Sequence, residues 1–225
     1  GPLSTGALNR FIRANARYLG GTTPVANVAL MWSVRTADYY RATVPVTDFT
    51  QEGERLTRQA KAGDHYRAFC GAFEALTRGH VLFDVLDEQG VEERLDGYAC
   101  LVLPNAACLS DRLAAVVAAW VRRGGLLVSS FETSAYDEWG AKRAAPALAD
   151  VLGARMLSID GPGTLDYFDR GSGGLFEGID QRHVPSPPLR ILCETTTGAG
   201  IAWYRERMPA RYQPLPALSR HPAIV

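Results

Sequence analysis

The sequence predicts an α/β fold: a doubly wound, mainly parallel sheet with extra β strands at its C-terminal end. Two patterns predict it. Through residue 130, short apolar runs of strand length alternate with amphipathic helical stretches, the signature of a parallel sheet covered by helices. Beyond residue 152 the helical periodicity stops, and β-like runs separated by Gly- and Pro-rich connections take over. The length, 225 residues, suits one large α/β domain or two small ones, and it is enough to bury a core without staples.

Each element follows from local pattern. Residues 7–19 put Leu8, Phe11, Ile12 and Leu19 on one helical face with Arg10, Arg13 and Arg17 outside it, and Gly20-Gly21 ends that helix. The apolar run at 25–32 reads as a buried first strand. Polar residues follow at once, and then a polar, irregular stretch over 41–61 reads as a long loop, functional or mobile. A helix over 64–78 carries Tyr66, Phe69, Cys70, Phe73 and Leu76 and stops at Gly79. A second strand at 81–86, a short acidic helix near 91–95 and a third strand at 98–103, ended by Pro104, come next. Ser110 is placed to cap a helix over 111–123, apolar at Leu113, Val116, Val117, Trp120 and Val121. Gly124-Gly125 ends it, and 126–130 is a fourth strand. After a short helix near 146–152, β-like runs fall at 155–159, 165–168, 189–194 and 200–204, with 197–200 as a hairpin turn between the last two. Four prolines punctuate 207–225, and Ala223-Ile224-Val225 reads as a strand cut short.

Composition narrows the function classes. Lys+Arg and Asp+Glu are both 24, a net charge of zero. A duplex binder needs a basic stripe and a peripheral membrane protein a basic amphipathic face, so neither nucleic acid nor a membrane is expected as partner. Zero charge gives little colloidal repulsion, which leaves self-association open. The hydrophobic fraction, 47%, argues against disorder. Four cysteines without CxxC spacing read as buried free thiols of a reducing compartment, the cytoplasm. No run approaches the ~18 apolar residues of a membrane span. The opening Gly1-Pro2-Leu3 reads as a trimmed tag or the cut edge of a longer protein.

In open α/β sheets ligands sit beyond the carboxyl ends of the strands. The segments 33–40, 104–110 and 130–138 fall there, and they offer Arg35, Asp38, Tyr39, Tyr40, Asn105, Cys108, Glu132 and Tyr136 as candidates. Cys108 precedes a helix whose N-terminus could lower its pKa. Yet His65, His80, His183 and His221 are scattered, and a structural thiol is the simpler reading. There is no GxGxxG after the first strand and no GxxxxGK[ST], and Gly171-Ser172-Gly173-Gly174 reads as a flexible loop. No cluster has metal-ligand spacing, so no metal or cofactor is expected. Glu132 stands at a strand end, where Asp38 or Asp87 could face it as a glycoside-hydrolysing pair; alternatively it caps a helix or bonds loop backbone. Arg35, Tyr39 and Tyr40 suit carbohydrate stacking or a protein interface, or one tyrosine is core and the other covers the cleft.

VALMWSVRTADYY, FDVLDE, YACLVLPNAACLSD, WVRRGGLLVSSFETSAYDEWG and LADVLGA, in this order, resemble the beta-galactosidase trimerisation domain, most specifically in LPNAACLSD and RRGGLLVSSFETSAYDE. The resemblance covers about residues 24–155. It implies a flavodoxin-like, class I glutamine-amidotransferase-like module that has lost its nucleophile, with Phe131-Glu132 at the elbow. It also implies a preceding catalytic (β/α)8 barrel that holds the catalytic glutamates. Residues 1–21 would then be a linking helix and 22–225 the domain, with its final strand missing. The implied role is non-catalytic: packing against the barrel and neighbouring subunits of a glycoside hydrolase, as a homo-oligomer and in the family a trimer. A carbohydrate-binding role for the strand-end cleft, and an amidotransferase-like hydrolase using Cys108, remain as alternatives.

Overall fold

The computed structural model describes residues 5–22, 25–49, 55–163, 166–172, 174–208 and 214–225. Expectations for Gly1-Pro2-Leu3, for 50–54 within the 41–61 stretch, and for Leu165, Gly173 and Pro209 fall outside these residues. Two short helices, Thr5–Ala14 (α1) and Ala16–Leu19 (α2), precede the first strand, Val28–Met31 (β1). Ser33 then caps a six-residue helix, Val34–Tyr39 (α3), its hydroxyl accepting from the Thr36 N–H. The polar stretch that follows β1 is therefore helical rather than a loop.

The 41–61 stretch is corrected more strongly. Its described residues form an antiparallel hairpin, Thr43–Phe49 (β2) against Arg55–Lys61 (β3). Asp64 caps the helix His65–Arg78 (α4). The strand Phe83–Leu86 (β4) leads through the Asp87-capped helix Glu88–Arg94 (α5) to Cys100–Leu103 (β5). Ser110 caps Asp111–Arg122 (α6) as expected, accepting from Leu113 N–H at 3.1 Å. After α6 the chain turns through Gly124-Gly125 into Leu126–Ser129 (β6). A Cβ at Gly125 would stand 2.3 Å from the Trp120 ring, so only glycine lets this turn fold onto its own helix.

The four strands form a parallel sheet in the order β4-β1-β5-β6. Alternation along the strands splits their side chains between two faces. On one face Ala29, Met31, Leu86, Leu101 and Leu103 pack with Val91 and Leu95 beside α5, and with Leu113, Val117 and Trp120 of α6. On the other, the register lines up Phe83, Val28, Cys100 and Leu126 in one row and Val85, Leu30, Val102 and Val128 in the next. Only the β4–β1 side of this second face is packed by α4, where Phe73 meets Phe83 edge-on at 5.1 Å.

The rest of the described chain is antiparallel. After Ala149–Leu152 (α7) and a left-handed Gly153, Ala154–Asp160 (β7) pairs with Arg190–Thr195 (β10). Tyr167–Asp169 (β8), His183–Pro185 (β9), Ala202–Arg205 (β11) and Leu218–Ile224 (β12) form a sheet ordered β12-β11-β8-β9. The 197–200 segment is thus no hairpin turn. It carries the chain from one sheet to the other, since β10 pairs with β7, and β11 with β8 and β12. Carboxylate–arginine pairs bind this region: buried Asp169 accepts from Arg205 at 2.7 and 2.8 Å and meets His183 at 2.7 Å, while Asp160 accepts from Arg190 at 2.7 Å and Arg207 at 3.0 Å. Among the described residues no helix is long and apolar enough to cross a membrane.

Candidate functional site

Beyond the end of β5 the backbone that carries the candidate residues does not open into a cleft. It continues pairing: Ser134 N–H donates to Ala106 O at 2.9 Å, Tyr136 N–H to Ala107 O at 3.0 Å, and Leu109 N–H to Tyr136 O at 3.1 Å. To enter this arrangement the chain turns sharply after β6, with Phe131 at φ 54° and Ser134 at φ 64°. A bulky residue at positive φ is held there by its surroundings, at a cost of about 1–3 kcal/mol.

Glu132 is wholly buried by this turn. The Tyr40 hydroxyl, delivered from the end of α3, donates to Oε2, and the Tyr136 hydroxyl donates to Oε1 at 3.2 Å. Lys142 Nζ lies 3.6 Å from Oε1. The two tyrosine rings meet edge-on at 5.3 Å. A buried carboxylate is tolerable only with such partners. Burial, with the Glu132 charge adding to it, pushes both phenols far above their ordinary range, so they serve as fixed donors. Cys108 packs in the same cluster, fully buried, and burial pushes its thiol up to about 11. That is opposite to the shift an activated nucleophile needs.

A second network lies beside the first. Ser33 Oγ donates to Glu88 Oε1 at 2.9 Å, and Arg35 N–H reaches the same oxygen at 3.0 Å. His65 Nε2 accepts from Ser33 N–H at 2.9 Å, so its Nδ1–H donates to Pro104 O at 2.8 Å, and the ring is neutral. Cys108 N–H donates to Thr36 Oγ1 at 3.0 Å, joining the two networks.

Of the candidates, Tyr40, Glu132 and Tyr136 converge in the buried cluster. Arg35 and Tyr39 instead meet outside it, on Trp139: the guanidinium lies 4.8 Å over the indole and the Tyr39 ring stands edge-on at 5.4 Å. Trp139 is 61% exposed. Asp38 is exposed and joins neither group. Asp87 is engaged in capping α5, accepting from Gly90 N–H at 2.7 Å. Asn105, at φ 46°, is buried, and neither polar atom of its side chain has a partner among the described residues. A cavity of about 490 Å³ lies past the end of β6, between Phe131, Leu152, Met156, Ile191, Tyr204 and Ile224, and none of the candidates lines it. No group of His, Cys, Asp and Glu among the described residues could hold a metal ion.

Sequence reasoning missed Lys142 and Trp139. Both lie in the loop set by Asp137, whose carboxylate accepts from the Trp139 and Ala141 N–H groups at 2.9 and 2.8 Å. Those bonds, that to Ala141 first, hold its pKa below the ordinary value. The Asp137-x-x-Gly140 turn was the available signal.

The family model of the beta-galactosidase trimerisation domain matches residues 26–222. No curated protein matches the chain. Among solved structures, the chain is similar to the cold-adapted beta-galactosidase of Rahnella sp. R3 (TM-score 0.65, 19% identity), covering 88% of this chain and 27% of that one. It is also similar to the beta-galactosidase of Bacillus circulans sp. alkalophilus (0.65, 18%, 96% and 30%). A third is alpha-L-fucosidase isoenzyme 2 of Paenibacillus thiaminolyticus (0.60, 18%, 97% and 30%). At these identities the likeness is one of fold, and the chain spans less than a third of each of these proteins.

Proposed function

The chain belongs to the beta-galactosidase trimerisation domain family, and from that premise we propose that it is a non-catalytic assembly domain of a larger glycoside hydrolase, packing against a catalytic (β/α)8 barrel and against its own copies. The observation that carries this reading is the closed surroundings of Glu132 at the strand ends. The buried acid there, Glu132, is held by two phenols that cannot exchange protons near neutral pH, and the turn after β6 carries Phe131-Glu132-Thr133, with no cysteine to serve as the nucleophile of an amidotransferase-like sheet. The strand order β4-β1-β5-β6 agrees with the first four strands of a flavodoxin-like sheet. Residues 1–21 serve as the link to the barrel and 22–225 as the domain. Four free cysteines fit a cytoplasmic setting.

The purified chain is expected to show no hydrolysis of an aryl β-galactoside above buffer. Turnover that Glu132→Gln abolishes would overturn the reading. A second reading, a carbohydrate-binding surface, is favoured by the Arg35–Tyr39–Trp139 stack alone. It expects calorimetric heat with galactose or short glycans that Trp139→Ala removes, and absence of heat eliminates it.

A further inference from the structure

The cavity of about 490 Å³ past β6 lies where the carboxyl end of the parallel sheet meets the antiparallel strands. Its volume is in the range of small-molecule sites, and the carboxyl ends of the strands are where open α/β sheets hold ligands. Phe131, Leu152, Met156 and Ile191 give it an apolar wall.

Two polar groups on that wall have bonds left to give. Arg190 is 3% exposed, a cation taken almost wholly out of water. Its Nε donates to Asp160 at 2.7 Å and its Nη1 to the Arg205 carbonyl at 2.7 Å, while Nη2 bonds no described residue. Asp160 also accepts from Arg207, which binds Asp166 in turn. Two arginines thus face two carboxylates, and no net negative charge opposes an anion at Nη2. The Arg190 guanidinium lies 4.8 Å over the ring of Tyr204, which is 9% exposed. The Tyr204 hydroxyl has no hydrogen-bond partner among the described residues either, although a buried phenol normally finds one. Neither Nη2 nor this hydroxyl is among the wholly enclosed unpartnered atoms, so both meet open space, and the cavity is the space their residues line. Burial raises the Tyr204 pKa, so near neutral pH the hydroxyl keeps its proton and donates.

We propose that this cavity binds a small amphipathic monocarboxylate, its carboxylate accepting from Arg190 Nη2 and the Tyr204 hydroxyl and its apolar body lying against Phe131, Leu152, Met156 and Ile191. A guanidinium nitrogen only donates, so the head group must accept, and an ionised acceptor makes the stronger bond. A sugar fits less well, because most of its hydroxyls would face the apolar wall unpaired. The site goes beyond the assembly reading and does not depend on it.

Calorimetric titration of the purified chain with octanoate and with 4-phenylbutyrate tests the proposal. At least one of the acids is expected to bind, and its neutral primary amide to bind about tenfold or more weakly. Tyr204→Phe keeps the ring under Arg190 and is expected to weaken the acid about tenfold. Met156→Trp fills the cavity and is expected to abolish the heat. No heat from either acid would overturn the proposal. So would binding that Met156→Trp leaves unchanged, or an amide that binds as tightly as its acid. Should Met156→Trp fail to fold, thiol labelling of the parent chain locates the ligand. Bound acid is expected to slow labelling of Cys193, which lines the cavity, and to leave exposed Cys70 unchanged. A Cys193 rate that the acid does not alter would refute the site. None of these outcomes bears on whether copies of the chain associate.

Discussion

Tyr40→Phe isolates the hydrogen bond on which the buried carboxylate most depends. Tyr40 is 2% exposed and Glu132 is fully enclosed, so water cannot replace a lost donor. The phenylalanine ring keeps the edge-on contact with Tyr136, so apolar burial is nearly unchanged. What is removed is one hydrogen bond to a buried ionised acceptor, worth about 1.5–3 kcal/mol. Oε2 would keep only the Tyr136 hydroxyl, at 3.4 Å. For a chain of this size, at about 2–4 °C per kcal/mol, that loss lowers Tm by about 3–12 °C. Urea unfolding followed by tryptophan fluorescence measures it, with Tyr39→Phe as an exposed neighbour expected to change stability by less than about 0.5 kcal/mol. In a Glu132→Gln background the cost of Tyr40→Phe is expected to shrink by about 1 kcal/mol or more, because the two residues are coupled. Equal, near-zero costs for Tyr40→Phe and Tyr39→Phe would refute the reasoning.

Acid is expected to weaken the fold in two steps, read as urea midpoints across a pH series. Burial holds His65 below its usual pKa, so its contribution is complete above the unfolded value of about 6.5 and declines as pH falls below it; His65→Asn is expected to remove this step. The Arg205 hydrogen bonds, chiefly, hold Asp169 down to about 2, so its contribution is lost between about pH 4 and pH 2, a step that Asp169→Asn should abolish. Gly125→Ala is expected to destabilise by about 1–3 kcal/mol, because the new methyl meets the Trp120 ring; an unchanged melting curve would contradict the turn geometry. In thiol titration at neutral pH exposed Cys70 is expected to react fast and Cys108 only on unfolding; rapid labelling of Cys108 would revive it as a nucleophile.

What could be read from sequence was what local pattern determines. The strands β1, β4, β5 and β6 announce themselves because each is a short, mostly apolar run of strand length set between polar or glycine-rich segments. Ser110 and Gly124-Gly125 mark the ends of α6 by capping and turn chemistry that needs no distant partner. The β2–β3 hairpin was missed because its first strand mixes Val44 and Val46 with Thr, Pro and Asp, a weak alternation. The 197–200 segment was misread because pairing is a long-range choice: Gly198 N–H and Thr196 N–H both turn to Gly153 O, at 3.0 and 2.9 Å, which carries the chain away from a hairpin. The six residues of α3 are too few to show a period, although Ser33 three residues before Thr36 was a cap signal. At the site, Glu132 stood out as an acid at a strand end. That Tyr40 rather than Asp38 would face it depends on the direction in which α3 leaves the sheet, which no local pattern encodes.

The proposed assembly role requires that copies of this chain hold together. Sedimentation equilibrium of the purified chain at tens of micromolar measures it most directly. A species of three times the 24.5 kDa of one chain is expected. A single species at the mass of one chain over the whole concentration range would contradict it.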